Sequence, residues 1–155
     1  MAQEIIRPTA EDSSRIADQI AGVLKIAAEH FGDVAFTHTD SDLVILQRLL
    51  DNRFVGAEQS SELQSMGLVF GEILARRADL IWVTVVDSYG RDPALRFRDT
   101  SLILFPMTMI SKRVENGQRV DVAELMAQME REVAKLKAEG VVNAAHYNKP
   151  WWKFW

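Results

Sequence analysis

The side chains best suited to chemistry fall in the middle of the chain. Glu72 and Asp87 form the carboxylate pair that general acid–base work would need, one to hold a proton and one to take it. Tyr89, Arg91 and Asp92 crowd around Gly90 beside Asp87. The run Tyr89-Gly90-Arg91-Asp92-Pro93 has the composition of a turn between strands. Turns held by a rigid sheet often carry function. Tight turns also use Asp and Gly for their own geometry, with the Asp side chains bonding the backbone. Asp87 can pair with Arg91. Glu72 can pair with Arg76 at i+4, which is worth roughly a few tenths of a kcal/mol.

Lys112 and Arg113 are a second set. With Arg91, Arg96 and Arg98 they supply much of the basic character of the second half of the chain. If these residues are neighbours they form an anion-binding patch, because the planar guanidinium fork matches carboxylate and phosphate. The competing expectation is a solvated face paired with Glu115 and Asp99. His38-Thr39-Asp40-Ser41-Asp42 places an imidazole and two carboxylates at alternate positions. The glycine and closing Glu of a calcium loop are missing, so a capped helix start with a solvated histidine is expected, without a metal. The chain has no cysteine, which removes disulfides, thiolate zinc sites and thiol nucleophiles. The three histidines stand where no serine–histidine arrangement is credible, and Gly67 and Gly71 lack the lysine of a phosphate loop. No cofactor is expected.

The third set is aromatic. Trp151, Trp152, Phe154 and Trp155 fall in the last five residues. Each can bury on the order of 150–250 Å², so such a cluster seldom stays in water. It is expected to dock on its own domain, or to meet a second copy or a protein partner. With Lys149 and Lys153 it also fits a membrane interface.

These residues need a scaffold, and the 155-residue chain is long enough for one domain. Residues 1–140 are expected to form it, with 141–155 as the docked aromatic tail. Hydrophobic residues at 48% and charged residues at 26% exclude a disordered chain. A net charge of −4 argues against a general nucleic-acid binder. Residues 1–79 carry thirteen acidic and seven basic groups, a net of −6, and the remainder is mildly basic at +2. No apolar stretch approaches the roughly 20 residues of a membrane span, and the N-terminus lacks a secretory pattern. A cytoplasmic location is expected.

Thr9 with Asp12 resembles a capping box that opens a first helix, whose stripe is Ile16, Ile20, Val23, Leu24, Ala27 and Phe31. Asp40 or Ser41 is expected to cap a second helix with Leu43, Leu46, Leu49 and Leu50. A third runs from Ser60 or Ser61 to about Ala78 on Leu63, Met66, Phe70, Ile73 and Leu74. Gly67 and Gly71 inside it cost about 1 kcal/mol each against alanine, which predicts close approach of another backbone. Leu80–Val86 reads as a strand, Ala94–Arg98 as a half-exposed edge strand, and Ser101–Phe105 as a central strand covered on both faces. Helices are predicted over Pro106–Val114 and from Asp121, with Glu124 completing a second capping box. Segregated helices and strands predict an α+β fold, with a small, largely antiparallel sheet of three or so strands and about five helices.

Gly67-Leu68-Val69-Phe70-Gly71-Glu72-Ile73-Leu74, then Trp82, then Asp87 to Leu95, resemble the bacterial domain-of-unknown-function family numbered 3806. Leu104 to Glu115 and the Asp121-Val122 helix start fit the same pattern. The resemblance covers about residues 60–136. It implies a small bacterial protein of one compact domain and brings no catalytic residue with it. Two functions are then expected. The first is a non-enzymatic protein-binding or regulatory module, with Trp151, Trp152, Phe154 and Trp155 meeting the partner. The second is an enzyme or small-anion-binding domain with a cleft near Glu72, Asp87, Tyr89 and Arg91, with Arg91, Asp92, Lys112 and Arg113 as ligand-binding residues.

Overall fold

The computed structural model describes residues 2–140. Its elements are β1 (Glu4–Ile6), α1 (Ala10–Phe31), α2 (Asp40–Asp51), α3 (Ser60–Ala78), β2 (Ile81–Asp87), β3 (Gly90–Arg96), β4 (Ile103–Leu104), α4 (Met107–Glu115) and α5 (Val122–Ala138). The fold is α+β, with five helices and one antiparallel sheet in the order β1-β2-β3-β4. The strand beyond the three or so expected is β1, which pairs Ile5 with Val85. Three residues are too few to show a two-residue period.

Helix α3 is the hub, packed on α1, α2, α4 and α5. Leu63, Met66, Phe70, Ile73 and Leu74 are all fully buried, as their spacing predicts. The close approach of another backbone predicted at the two glycines is met at Gly67, by the joint between β4 and α4, whereas at Gly71 the close neighbours are the side chains of Pro106 and Trp82. A Cβ at Gly67 would overlap the Pro106 carbonyl oxygen and lie 2.9 Å from Met107 Cα. One at Gly71 would lie 2.8 Å from Pro106 Cβ and 2.9 Å from Trp82 Cη2.

Helix starts follow the sequence with two exceptions. Thr9 caps α1, with both halves of the Thr9–Asp12 box present. Helix α2 is preceded by Thr39 rather than capped by Asp40 or Ser41; the buried Asp42 instead accepts from the Thr37 and His38 amides. At α5 only the Asp121 half of the box forms, because Glu124 turns to Arg131.

The sheet differs more from expectation. The turn is Ser88-Tyr89, closed by Asp87 opposite Gly90, so Arg91, Asp92 and Pro93 belong to β3. Pro93 is tolerated there because β4 pairs with β3 only at Leu95 and Arg96, and leaves the proline's other side without a ladder. β3 is an inner strand, and its Ala94, Leu95 and Arg96 are buried. The buried Arg96 donates from Nε to the Thr100 carbonyl oxygen at 2.9 Å. β4 is covered on both faces as predicted, yet it lies at the sheet edge. One face, with Trp82, Leu95 and Leu104, joins the helical core; the other carries Val83, Val85, Ala94 and Ile103.

The glycines of α3 and α1 are expected to behave oppositely. Gly67→Ala forces backbone apart and should cost about 1–3 kcal/mol or more. Gly22→Ala, in the exposed middle of α1 with open space at its Cβ, should gain about 0.5–1 kcal/mol. Urea unfolding of the two variants checks both signs.

Candidate functional site

Asp12 is the best-connected carboxylate among the described residues. It is buried, and its Oδ2 accepts from the Thr9 amide at 2.9 Å, the Thr84 hydroxyl at 3.0 Å and Arg91 Nη2 at 2.6 Å. Its Oδ1 accepts from Arg91 Nε at 3.1 Å, so the guanidinium grips it with two donors. The Arg91 hydrogen bonds, then the Thr9 amide, hold this carboxyl far below its ordinary 3.8 against the opposing effect of burial; the Thr9 and Thr84 hydroxyls add to the lowering. Asp12 in turn raises Arg91. Arg91 is therefore engaged as a strut between β3 and the start of α1. Beside it, with Asp92 in its wall, is a space of about 90 Å³. That is well below the roughly 300 Å³ at which small-molecule pockets begin. Desolvation, then Asp87, raises the Asp92 carboxyl.

Glu72 and Asp87 are not brought together. Glu72 Oε1 accepts from the Trp82 indole Nε1 at 2.9 Å, and Oε2 lies 3.8 Å from His38 Nδ1. The expected partner Arg76 is not the one it meets. Asp87 sits at the far end of β2, five residues or about 16 Å of strand beyond Trp82. Its Oδ1 accepts from the Tyr89 amide at 2.8 Å, the side-chain-to-backbone turn that the sequence offers as its structural alternative. Tyr89 is 96% exposed at the hairpin tip. Asp40 pairs with Arg77, and no group of three or more His, Asp or Glu able to hold a metal occurs among the described residues.

Lys112 and Arg113 have a different setting. They line a cavity of about 290 Å³ where α4 meets Met129 of α5. Thr108, Asn116 and Gln118 add neutral polar groups, and Leu104, Phe105, Met109 and Met129 an apolar wall. Among the described residues no carboxylate lines it. Arg113 Nη1 donates to the Met109 carbonyl oxygen at 2.7 Å, and burial pushes the guanidinium down from its ordinary value. Glu115, one of the acids expected to neutralise this face, accepts from Ser60 instead. Among the described residues neither cation has a carboxylate partner within ion-pair distance. A more open groove of about 690 Å³ lies nearby, but its charges are mixed, and there Arg119 already meets Asp51 at 3.7 Å.

The family profile described as domain of unknown function DUF3806 matches residues 42–126, more than half of the chain. The chain belongs to the DUF3806 family. The match starts at α2 and ends within α5, so it takes in Glu72, Asp87, Arg91, Lys112 and Arg113, while Asp12 lies outside it. A crystal structure of a Bacteroides thetaiotaomicron VPI-5482 protein is similar, with a TM-score of 0.74 at 19% identity. The likeness covers 83% of this chain and 47% of that one, so this DUF3806 chain spans about half of that protein's length. At such identity the likeness shows the fold. No curated protein matches the chain.

Trp151, Trp152, Phe154 and Trp155 lie outside the described residues. The functional feature that the sequence left open is the role of Asp12, read there only as a helix cap. Its burial beside Thr84 and Arg91 depends on pairing across 72 and 79 residues.

A carboxyl depressed on folding contributes stability above its unfolded value, and that contribution fades as pH falls through the folded value. For Asp12 the loss begins below the ordinary 3.8. Arg91→Gln removes the largest cause of the depression. The variant should be less stable at pH 7, and its stability should fall less steeply between about pH 4 and pH 2. Parallel urea-midpoint curves for the two proteins across that range would refute the assignment.

Proposed function

We propose that this DUF3806 protein is a non-enzymatic cytoplasmic binding module that takes a small anionic ligand in the cavity between α4 and α5. One observation carries the reading: Arg113 is partly desolvated beside Lys112, in a cavity with no carboxylate among its described lining residues. A guanidinium stays charged at neutral pH, so a partly buried one without an anion bears a desolvation cost that a bound anion relieves. The Leu104, Phe105, Met109 and Met129 wall suits a carboxylate or phosphate on an apolar body. Binding is favoured over catalysis because Glu72 and Asp87 are apart and each already accepts a hydrogen bond. The described surface gives less support to a flat protein interface. Its exposed large hydrophobics, Val44, Ile81 and Tyr89, are scattered over α2, β2 and the hairpin tip.

Thermal melts with inorganic phosphate and with hexanoate test the proposal. At a hundredfold excess over Kd a ligand stabilises by about 2.7 kcal/mol, which for a chain of this size is roughly 5–10 °C. Hexanoate should act more strongly than phosphate. Arg113→Gln should abolish the shift, and Arg15→Gln, on exposed α1, should leave it intact. No shift with either anion, or an equal shift in the Arg113 variant, overturns the proposal.

A further inference from the structure

The cavity between α4 and α5 holds more order than a bare anion site needs. Two rows of its lining side chains recur along α4 at four-residue steps, and so share one face of the helix. One row is Phe105, Met109 and Arg113; the other is Thr108, Lys112 and Asn116. At the helical rise, Thr108 to Asn116 spans about 12 Å. The lining therefore runs from apolar groups near the start of α4, through two cations, to neutral amides at its C-terminal end, where Gln118 joins Asn116. The turn that ends α4 fixes Gln118: its backbone N–H donates to the Arg113 carbonyl oxygen at 2.9 Å, and Gly117, with φ of 76°, donates to Val114 at 3.0 Å. Asn116 and Gln118 are exposed, and among the described residues neither side-chain amide has a hydrogen-bond partner. Each can donate to a ligand and accept from it.

The setting of the cations selects the anion. Phosphate sites gather backbone N–H groups at a helix N-terminus. Lys112 and Arg113 stand instead in the last turn of α4, where a helix presents carbonyl oxygens and partial negative charge. Arg113 Nη1 is already committed to the Met109 carbonyl oxygen. A monoanion such as a carboxylate meets less opposition there than a dianion. The cavity of about 290 Å³ is close to the roughly 300 Å³ at which small-molecule pockets begin, so it suits a ligand of amino-acid size.

We propose that the ligand is an N-acylated α-amino acid with an apolar side chain. Its carboxylate meets Lys112 and Arg113, its side chain lies on Phe105 and Met109, and its amide is bonded by Asn116 and Gln118. The three groups of such a molecule leave one carbon, so the anion has an apolar branch on one side and a donor–acceptor amide on the other, the order in which the lining presents their partners. A simple fatty acid leaves both amides unanswered, and a free ammonium would bring a positive charge towards Lys112. The assignment rests on the anion site between α4 and α5. The same chemistry occurs in a free acylamino acid and at the C-terminus of a peptide that ends in an apolar residue.

Calorimetric titration of the full chain with 4-methylpentanoate and with N-acetyl-leucine tests the assignment, because the two acids share carboxylate and side chain and differ by the acylamino group. N-acetyl-leucine should bind roughly tenfold tighter, the return of two neutral hydrogen bonds. In the double variant Asn116→Ala, Gln118→Ala the gap should close while 4-methylpentanoate binds as before; a gap that persists overturns the role of the amides. Equal affinity of the two acids in the unmodified chain overturns the acylamino ligand and leaves the anion site standing. Binding of neither acid overturns both. N-acetyl-leucinamide lacks the carboxylate and should not bind; affinity equal to that of N-acetyl-leucine overturns the proposal. A tetrapeptide ending in leucine separates the two sources. Affinity at least equal to that of N-acetyl-leucine supports a peptide C-terminus, and exclusion of the tetrapeptide supports the free acylamino acid.

Discussion

Pro106 can lie against the backbone of α3 because Gly67 and Gly71 put no Cβ between them. Two glycines weaken an isolated helix by about 1 kcal/mol each, so the helix relies on the packing they permit. That packing fixes more than α3. Pro106 ends the approach from β4 and stands immediately before α4, so its position sets where α4 begins. Trp82 is held in the same contact, and Glu72, one residue after Gly71, accepts from its indole. The sheet, α3 and α4 thus share one close-packed joint, and the placing of Lys112 and Arg113 beside α5 descends from it.

Several ionisable groups join elements together. The acidic first half and the mildly basic second half are linked by Asp12 with Arg91 and by Asp51 with Arg119, while Arg77 with Glu130 runs the opposite way. The charge asymmetry therefore becomes, in part, a set of contacts between halves of the chain rather than two unlike surfaces. Buried in this way, a carboxylate such as Asp12 is held ionised by its donors and has little freedom to exchange a proton near neutrality. Arg113 is the contrast: it is partly desolvated, held by one backbone carbonyl, and has room beside it.

Local patterns were legible and distant ones were not. The Thr9–Asp12 cap, the buried stripe of α3 and the glycine approach follow from spacings within a few residues. The meaning of Gly90-Arg91-Asp92-Pro93 does not. Its composition is that of a turn, but the register of β2 stretches it into a strand because Arg91 has a partner 79 residues away. The burial of Arg96 is similarly hidden, since the Thr100 carbonyl that receives it depends on how the following loop folds. Lys112 and Arg113 are legible as an anion-binding pair, but that no described carboxylate pairs with them is a property of the packed α4. A cleft shared by Glu72, Asp87, Tyr89 and Arg91 was drawn from closeness in sequence, and β2 carries its members to opposite ends.

The double duty of Asp12 bears on how the molecule opens. Helix ends ordinarily fray, at a small cost confined to the first turn. Here the carboxylate that holds the first turn of α1 is also the acceptor for Thr84 and Arg91 in the sheet. Unwinding that turn strips two strands of a buried counter-charge, and parting the sheet uncaps the helix. The N-terminal end of α1 and the β2–β3 hairpin are thereby one cooperative unit, although some seventy residues of chain separate them.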